Sequence, residues 1–164
     1  MSGAIERKFM RHFINTTPAG NSAEYEVIGK DLEEFNVELN PEVETKANIL
    51  GETSVKISKY EPQGSVEPYY AEDGSPLFAL LQGIVDGRKT LDETKTDAVE
   101  VHLWEEVTGA AGSYVAYRET CWLEVQSYGG DTTGYQIPFN VHYKGDRVKG
   151  KFNLATKTFT ADAE

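Results

Sequence analysis

The stretch GYQIPFNVHYKGDRVKGKFNLATKTFT, Gly134 to Thr160, alternates apolar and polar residues so regularly that extended chain with one covered face is the conformation that satisfies it. Tyr135, Ile137, Phe139, Val141 and Tyr143 share one parity; Gln136, Pro138, Asn140 and His142 share the other. Lys144-Gly145-Asp146 reads as a turn, after which Val148, Gly150 and Phe152 resume the alternation. The pattern predicts a β-hairpin at the end of the chain.

The same period recurs upstream. AEYEVIG, DLEEFNVELN with Phe35, Val37 and Leu39, TSVKISKYE, AVEVHLWEEV and SYVAYRETCWLEVQSY all read as strands, separated by the turn-rich TGAAGS and YGGDTTG. NPEVETKANILGE, with Pro41, Gly51 and little periodicity, reads as a long hairpin connection that is mobile in isolation. One helix is predicted over about 75–86: Ser75 is a good N-cap, Pro76 suits the first position and Gly87 ends it. Leu77, Phe78, Leu80, Leu81, Ile84 and Val85 fall within an arc of roughly 160°, a helix laid on a sheet. The fold class expected is mainly β, an antiparallel sandwich or barrel of about seven or eight strands with one flanking helix. An N-terminal arm over 1–22 precedes a single domain over 23–164.

At 164 residues the chain is long enough for one domain that buries roughly 70% of its unfolded surface. The lone Cys121 shares parity with Leu123 and Val125, a small buried hydrophobe, and without a second cysteine no internal disulfide is expected. The N-terminus lacks the apolar core of a signal peptide, and no stretch reaches the roughly 20 apolar residues of a membrane span. Net charge is −11, yet residues 1–20 and 135–164 are basic while the middle is acidic. An acidic total disfavours dedicated nucleic-acid binding, whereas opposed signs along the chain suit contacts between copies of it.

No catalytic, cofactor or metal site is expected. Gly129-Gly130-Asp131-Thr132-Thr133-Gly134 lies between strands rather than ahead of a helix, so its glycines answer to turn dihedrals. His12, His102 and His142 lie in separate elements without a second ligand at metal spacing. Neighbouring carboxylates such as Glu33-Glu34 and Glu105-Glu106 point to opposite faces of a strand. Asn15-Thr16-Thr17 is a sequon only formally. Arg147, Lys149 and Lys151 form a basic stripe, readable as a solvated face, an intersubunit contact or a nucleic-acid contact.

GETSVKISKYEPQGSVEPYYAEDGSPLFALLQGIVDG, VEVHLWE and the final alternating stretch together resemble the major tail-tube proteins of long-tailed, siphovirus-type bacteriophages and prophages. The likeness lies in element order and hairpin texture and runs from about Glu24 to Thr160. It implies a virion structural protein, not an enzyme, made in the bacterial cytoplasm. Copies would close into hexameric rings that stack into a tube for ejecting double-stranded DNA. Ring closure would remove open sheet edges, and an acidic lumen would keep DNA from sticking. Tape-measure, tail-terminator and baseplate or tail-tip proteins would be the other partners, with DNA only as cargo and no membrane.

Within that reading Arg7, Lys8, Phe9, Arg11, Phe13 and Ile14 of the arm are candidate inter-ring contacts. Removing residues 1–20 is then expected to abolish tubes and leave a folded monomer. Glu42, Glu44, Lys46, Ile49, Leu50 and Glu52 form a candidate inter-ring or lumen loop; Arg147, Lys149 and Lys151 are a candidate intersubunit stripe. Two alternatives stand beside it: the inner tube of a contractile tail or secretion apparatus, and a monomeric β-barrel binding a small ligand or glycan through Trp104, Trp122 and tyrosines.

Overall fold

The structure is a computed structural model that describes residues 3–162. In chain order its elements are β1 (Met10–Asn15), β2 (Tyr25–Ile28), β3 (Val37–Glu38), β4 (Glu42–Ala47), β5 (Thr53–Lys59), β6 (Gln63–Val66) and α1 (Pro76–Gly87). There follow β7 (Lys95–Glu106), β8 (Ser113–Val125), β9 (Gly129–Asp131), β10 (Gly134–Gln136), β11 (Phe139–Tyr143), β12 (Val148–Asn153) and β13 (Thr158–Ala161). Nine strands form one antiparallel sheet in the order β2-β1-β7-β8-β11-β6-β3, with β12 and β13 branching from β8. It curls into a half-barrel with α1 beside it, a mainly β fold with one helix.

The spine is β8, SYVAYRETCWLEV, 13 residues without glycine or proline and rich in aromatic and branched side chains. β7 runs along one edge of it. The other edge is shared: Phe139–Tyr143 pair with Val125–Cys121, and Val148–Asn153 pair with Arg118–Ser113. β11 and β12 are therefore one strand direction interrupted by an outward bulge, not the two arms of a hairpin. This corrects the reading of Lys144-Gly145-Asp146 as a reversal.

The bulge is held to the spine by its own polar groups. The Lys144 amide donates to the Thr120 carbonyl at 2.8 Å, and the Asp146 carboxylate accepts from the Thr120 amide and hydroxyl at 2.9 and 2.7 Å. Gly145 takes φ +99°, a value that favours glycine. The true hairpin follows one strand later, between β12 and β13.

Side chains on the two faces of the sheet are buried in different halves. Towards the C-terminal end of β8, Cys121 and Leu123 pack with Ile14, Ala98, Ile137, Phe139 and Val141 against Leu77, Leu81, Ile84 and Val85 of α1. Towards its N-terminal end the opposite parity is covered, and Ala116 joins Phe13, Tyr25, Val99, Val101 and Phe152 in a second cluster. Of the expected helix stripe, Leu77, Leu81, Ile84 and Val85 are buried and Leu80 is half-buried against the core. The Ser75 hydroxyl accepts from the Phe78 amide at 3.3 Å and donates to the Glu26 carboxylate, which ties the helix start to β2. The chain leaves the helix through Arg88 at φ 46°.

Met10–Asn15, expected in a detachable arm, is an interior strand between β2 and β7. Phe13 and Ile14 are 3% and 1% exposed, so neither is free to contact another ring. The Asn15 side chain is equally committed: its amide donates to Asp97 at 2.9 Å and its carbonyl accepts from the Thr17 amide at 2.9 Å. Deleting residues 1–20 removes a strand with two core side chains and is expected to abolish cooperative unfolding by circular dichroism. Deleting residues 1–6 is expected to retain it.

Candidate functional site

Thirteen residues of β4 and β5 lie outside the main sheet, pair only with each other and are exposed throughout. Their register puts Val43 opposite Ile57, Thr45 opposite Val55 and Ala47 opposite Thr53. Glu44 opposite Lys56 and Lys46 opposite Ser54 occupy the other face. The hairpin is thus amphipathic by the pleat of its strands, with an apolar side that none of the described residues covers. At its tip Ile49 is fully exposed and Leu50 is 77% exposed; on its apolar face Val55 is 65% exposed.

This corrects the expectation that NPEVETKANILGE is an irregular connection. Its first half is β4, and the tip is a built turn. Asn48 Oδ1 accepts from the Leu50 and Glu52 amides at 2.9 and 3.0 Å, and the Asn48 amide donates to the Glu52 carbonyl at 3.0 Å. Gly51 sits at φ +81°. At the root, the Glu61 amide donates to the Leu39 carbonyl at 2.9 Å, and Lys59 lies 3.1 Å from Glu61 and 3.5 Å from Glu42. Of the candidate loop residues, Glu42, Glu44, Lys46, Ile49, Leu50 and Glu52 all lie on the hairpin or its turn. Val43, Val55 and Ile57, which complete its apolar face, were outside that set although EVETKA and TSVKISK carry the alternation.

The other candidate residues separate. Arg7 is exposed but tied to the backbone, its guanidinium donating to the Met10 carbonyl at 2.6 Å and the Phe35 carbonyl at 3.1 Å. Lys8 pairs with Glu6 at 3.2 Å and lies over the Phe9 ring, while Arg11 is exposed. Arg147 is not a free member of a basic stripe: its guanidinium is 3.0 Å from Glu100 and stacks 4.2 Å from the Tyr117 ring centre. Lys149 is exposed and Lys151 is half-buried. The histidines stay apart from one another as ligands. His142 bonds Glu124 at 2.7 Å, and His102 bonds Glu100 at 2.6 Å while stacking on Trp104. Trp122 is half-buried, its indole N–H donating to Asp92 at 3.3 Å.

Sequence reasoning gave no role to the polar patch beneath the hairpin root. His12, Glu100 and Tyr117 face one another across β1, β7 and β8. Burial pushes the His12 imidazole down to about 4 against the opposing pull of Glu100. Burial would raise Glu100, yet the His102 hydrogen bond and the Arg147 charge hold it below the usual carboxylate range. Glu119 next along the spine is pushed up by burial, against a hydrogen bond from the Gly145 backbone.

No protein-family model and no curated protein sequence matches the chain. Among solved structures, the sheath/tube terminator of an extracellular contractile injection system, PVC, in its extended state, is similar in fold. The TM-score is 0.53 over 90% of this chain and 97% of that one, at 7% identity. At that identity the likeness is one of fold. No helix among the described residues is long and apolar enough to cross a membrane.

The His12 geometry sets a pH dependence. The unfolded imidazole protonates near 6.5 and the folded one near 4, so between these values the unfolded state holds more protons. Its contribution is full above pH 6.5, falls as pH drops towards 4, and amounts to about 3 kcal/mol. Urea titrations from pH 7 to 4 are expected to lose less stability in His12→Leu than in the parent chain.

Proposed function

We propose that this chain is a structural subunit of a phage tail or related tail-like tube and works by associating with copies of itself. The observation that carries this reading is the exposed β4–β5 hairpin with its uncovered apolar face. A lone two-stranded hairpin is marginal in water, and an apolar face on it is a cost unless another surface covers it. The sheet is also left open along β2 and β13, backbone edges that a neighbouring subunit can extend. Ring closure satisfies both demands, and the tail-tube likeness of the sequence together with the terminator-like fold supports the same class of assembly.

The hairpin over 42–59 balances three acidic residues with three basic ones, so the net charge of −11 resides on the body. Carboxylates of the body lining a lumen would repel phosphates and leave DNA free to slide. A second reading follows the structural neighbour, a sheath/tube terminator: a subunit whose association would stop instead of extending a tube. The two differ in whether association propagates.

Negative-stain microscopy of concentrated protein is expected to show rings or rods; extended rods identify a tube subunit and single rings a terminator. The paired substitutions Ile49→Asp and Leu50→Asp are expected to change the stability of the isolated chain by under about 0.5 kcal/mol, because both side chains are already in water. They are expected to prevent assembly in sedimentation velocity. Rings formed as readily by the doubly substituted protein would refute the hairpin's role.

A further inference from the structure

A cavity of about 310 Å³ lies between the sheet and the root of the hairpin. Its floor is the cross-strand row of His12, Glu100 and Tyr117, with Glu119 further along β8. Leu39 and Tyr60, which flank the hairpin, also line it. That volume falls within the ordinary range for small-ligand sites.

Some of its polar groups are already engaged. Glu100 accepts from His102 and Arg147, and Arg147 stacks on Tyr117. Two are not. Among the described residues Glu119 Oε2 is buried without a hydrogen-bond partner, although the same carboxylate accepts from the Gly145 backbone, and His12, 6% exposed, has no side-chain hydrogen bond. Burial keeps that imidazole neutral at pH 7, so one of its ring nitrogens is an acceptor.

The chemistry of the missing partner follows from these two acceptors. An anion would meet two carboxylates against one guanidinium that is already paired. An apolar guest would leave Oε2 as orphaned as it is in the empty cavity and would gain nothing from it. A cation with several N–H donors satisfies both acceptors and neutralises the excess charge. Leu39 and Tyr60 add apolar surface to the lining.

We propose that this cavity binds a single alkylammonium or alkylguanidinium group, its head between Glu119 and His12 and its stem against Leu39 and Tyr60. The group comes either from a free amine or from a lysine or arginine side chain of a neighbouring copy. The site stands whether or not the chain forms rings.

The test is an NMR titration of the isolated chain with n-butylammonium and n-butylguanidinium, with methylammonium and n-butanol as comparators. Saturable shifts are expected at His12, Glu119 and Leu39. Methylammonium is expected to bind at least about tenfold more weakly for want of a stem, and n-butanol not to saturate. Glu119→Gln is expected to weaken binding by about tenfold or more, while its melting temperature at pH 7 equals or exceeds that of the parent. Leu39→Ala, at an exposed lining position, is expected to narrow the gap between butyl and methyl probes. Absence of saturable shifts, equal binding of n-butanol, or undiminished binding by Glu119→Gln would each overturn the site. Repeating the titration on assembled protein separates the sources: a cavity filled by a neighbour's side chain excludes n-butylammonium, and one serving free amines binds it as the isolated chain does.

Discussion

The backbone ladder on both edges of β8 is the constraint from which the rest of this structure follows. β7 covers one edge, and the other is covered in two instalments by β11 and β12, which approach along the same direction. Because a single strand carries both halves of the sheet, the parity that is buried can change midway along it. The upper cluster lies under α1 and the lower one on the opposite face, around Phe13, Val101 and Phe152. Each side chain added to either cluster also fixes the register of the spine, since a slip of one residue would exchange the two faces.

Against this well-satisfied body, the β4–β5 hairpin is an exception that needs a reason. The strands of the main sheet bury apolar surface or border strands that do, whereas the β4–β5 hairpin offers Val43, Val55 and Ile57 to water. Its turn is nonetheless carefully built around Asn48 and Gly51. On the proposed assembly, a hairpin of defined conformation with an uncovered apolar side would lower the ordering cost of association. The patch beneath its root has the complementary character. A buried carboxylate oxygen without a partner is a local sacrifice of stability, and natural chains tolerate such sacrifices chiefly where binding uses them.

Much of the sheet was legible in the sequence because alternation is a local signal. AVEVHLWEEV and SYVAYRETCWLEVQSY became β7 and β8, and Ser75 with Pro76 marked the helix start. What failed was everything decided by distant contacts. KFMRHFIN is as apolar as any interior strand, but placed at the N-terminus among basic residues it read as an arm; only pairing with residues some ninety positions away makes it β1. Lys144-Gly145-Asp146 has turn chemistry, and local sequence cannot distinguish a reversal from a bulge that Thr120 holds in line. DLEEFNVELN was expected to run as a strand, yet only Val37–Glu38 pair, and Phe35 just before them is buried in the core by contacts with distant elements. The cavity at the hairpin root was invisible for the same reason: His12, Glu100 and Glu119 are far apart in the chain and lie close only across three strands.

The divided edge of β8 also bears on how the protein comes into being. Synthesis proceeds from the N-terminus, so β7 and β8 leave the ribosome while the segment that covers the far side of β8 has yet to be made. For that interval a nascent chain carries a long bare edge, open to another nascent chain on the same message. Closure from within depends on β11 and β12 arriving before such a contact forms, so the order of translation sets how long that edge stays open.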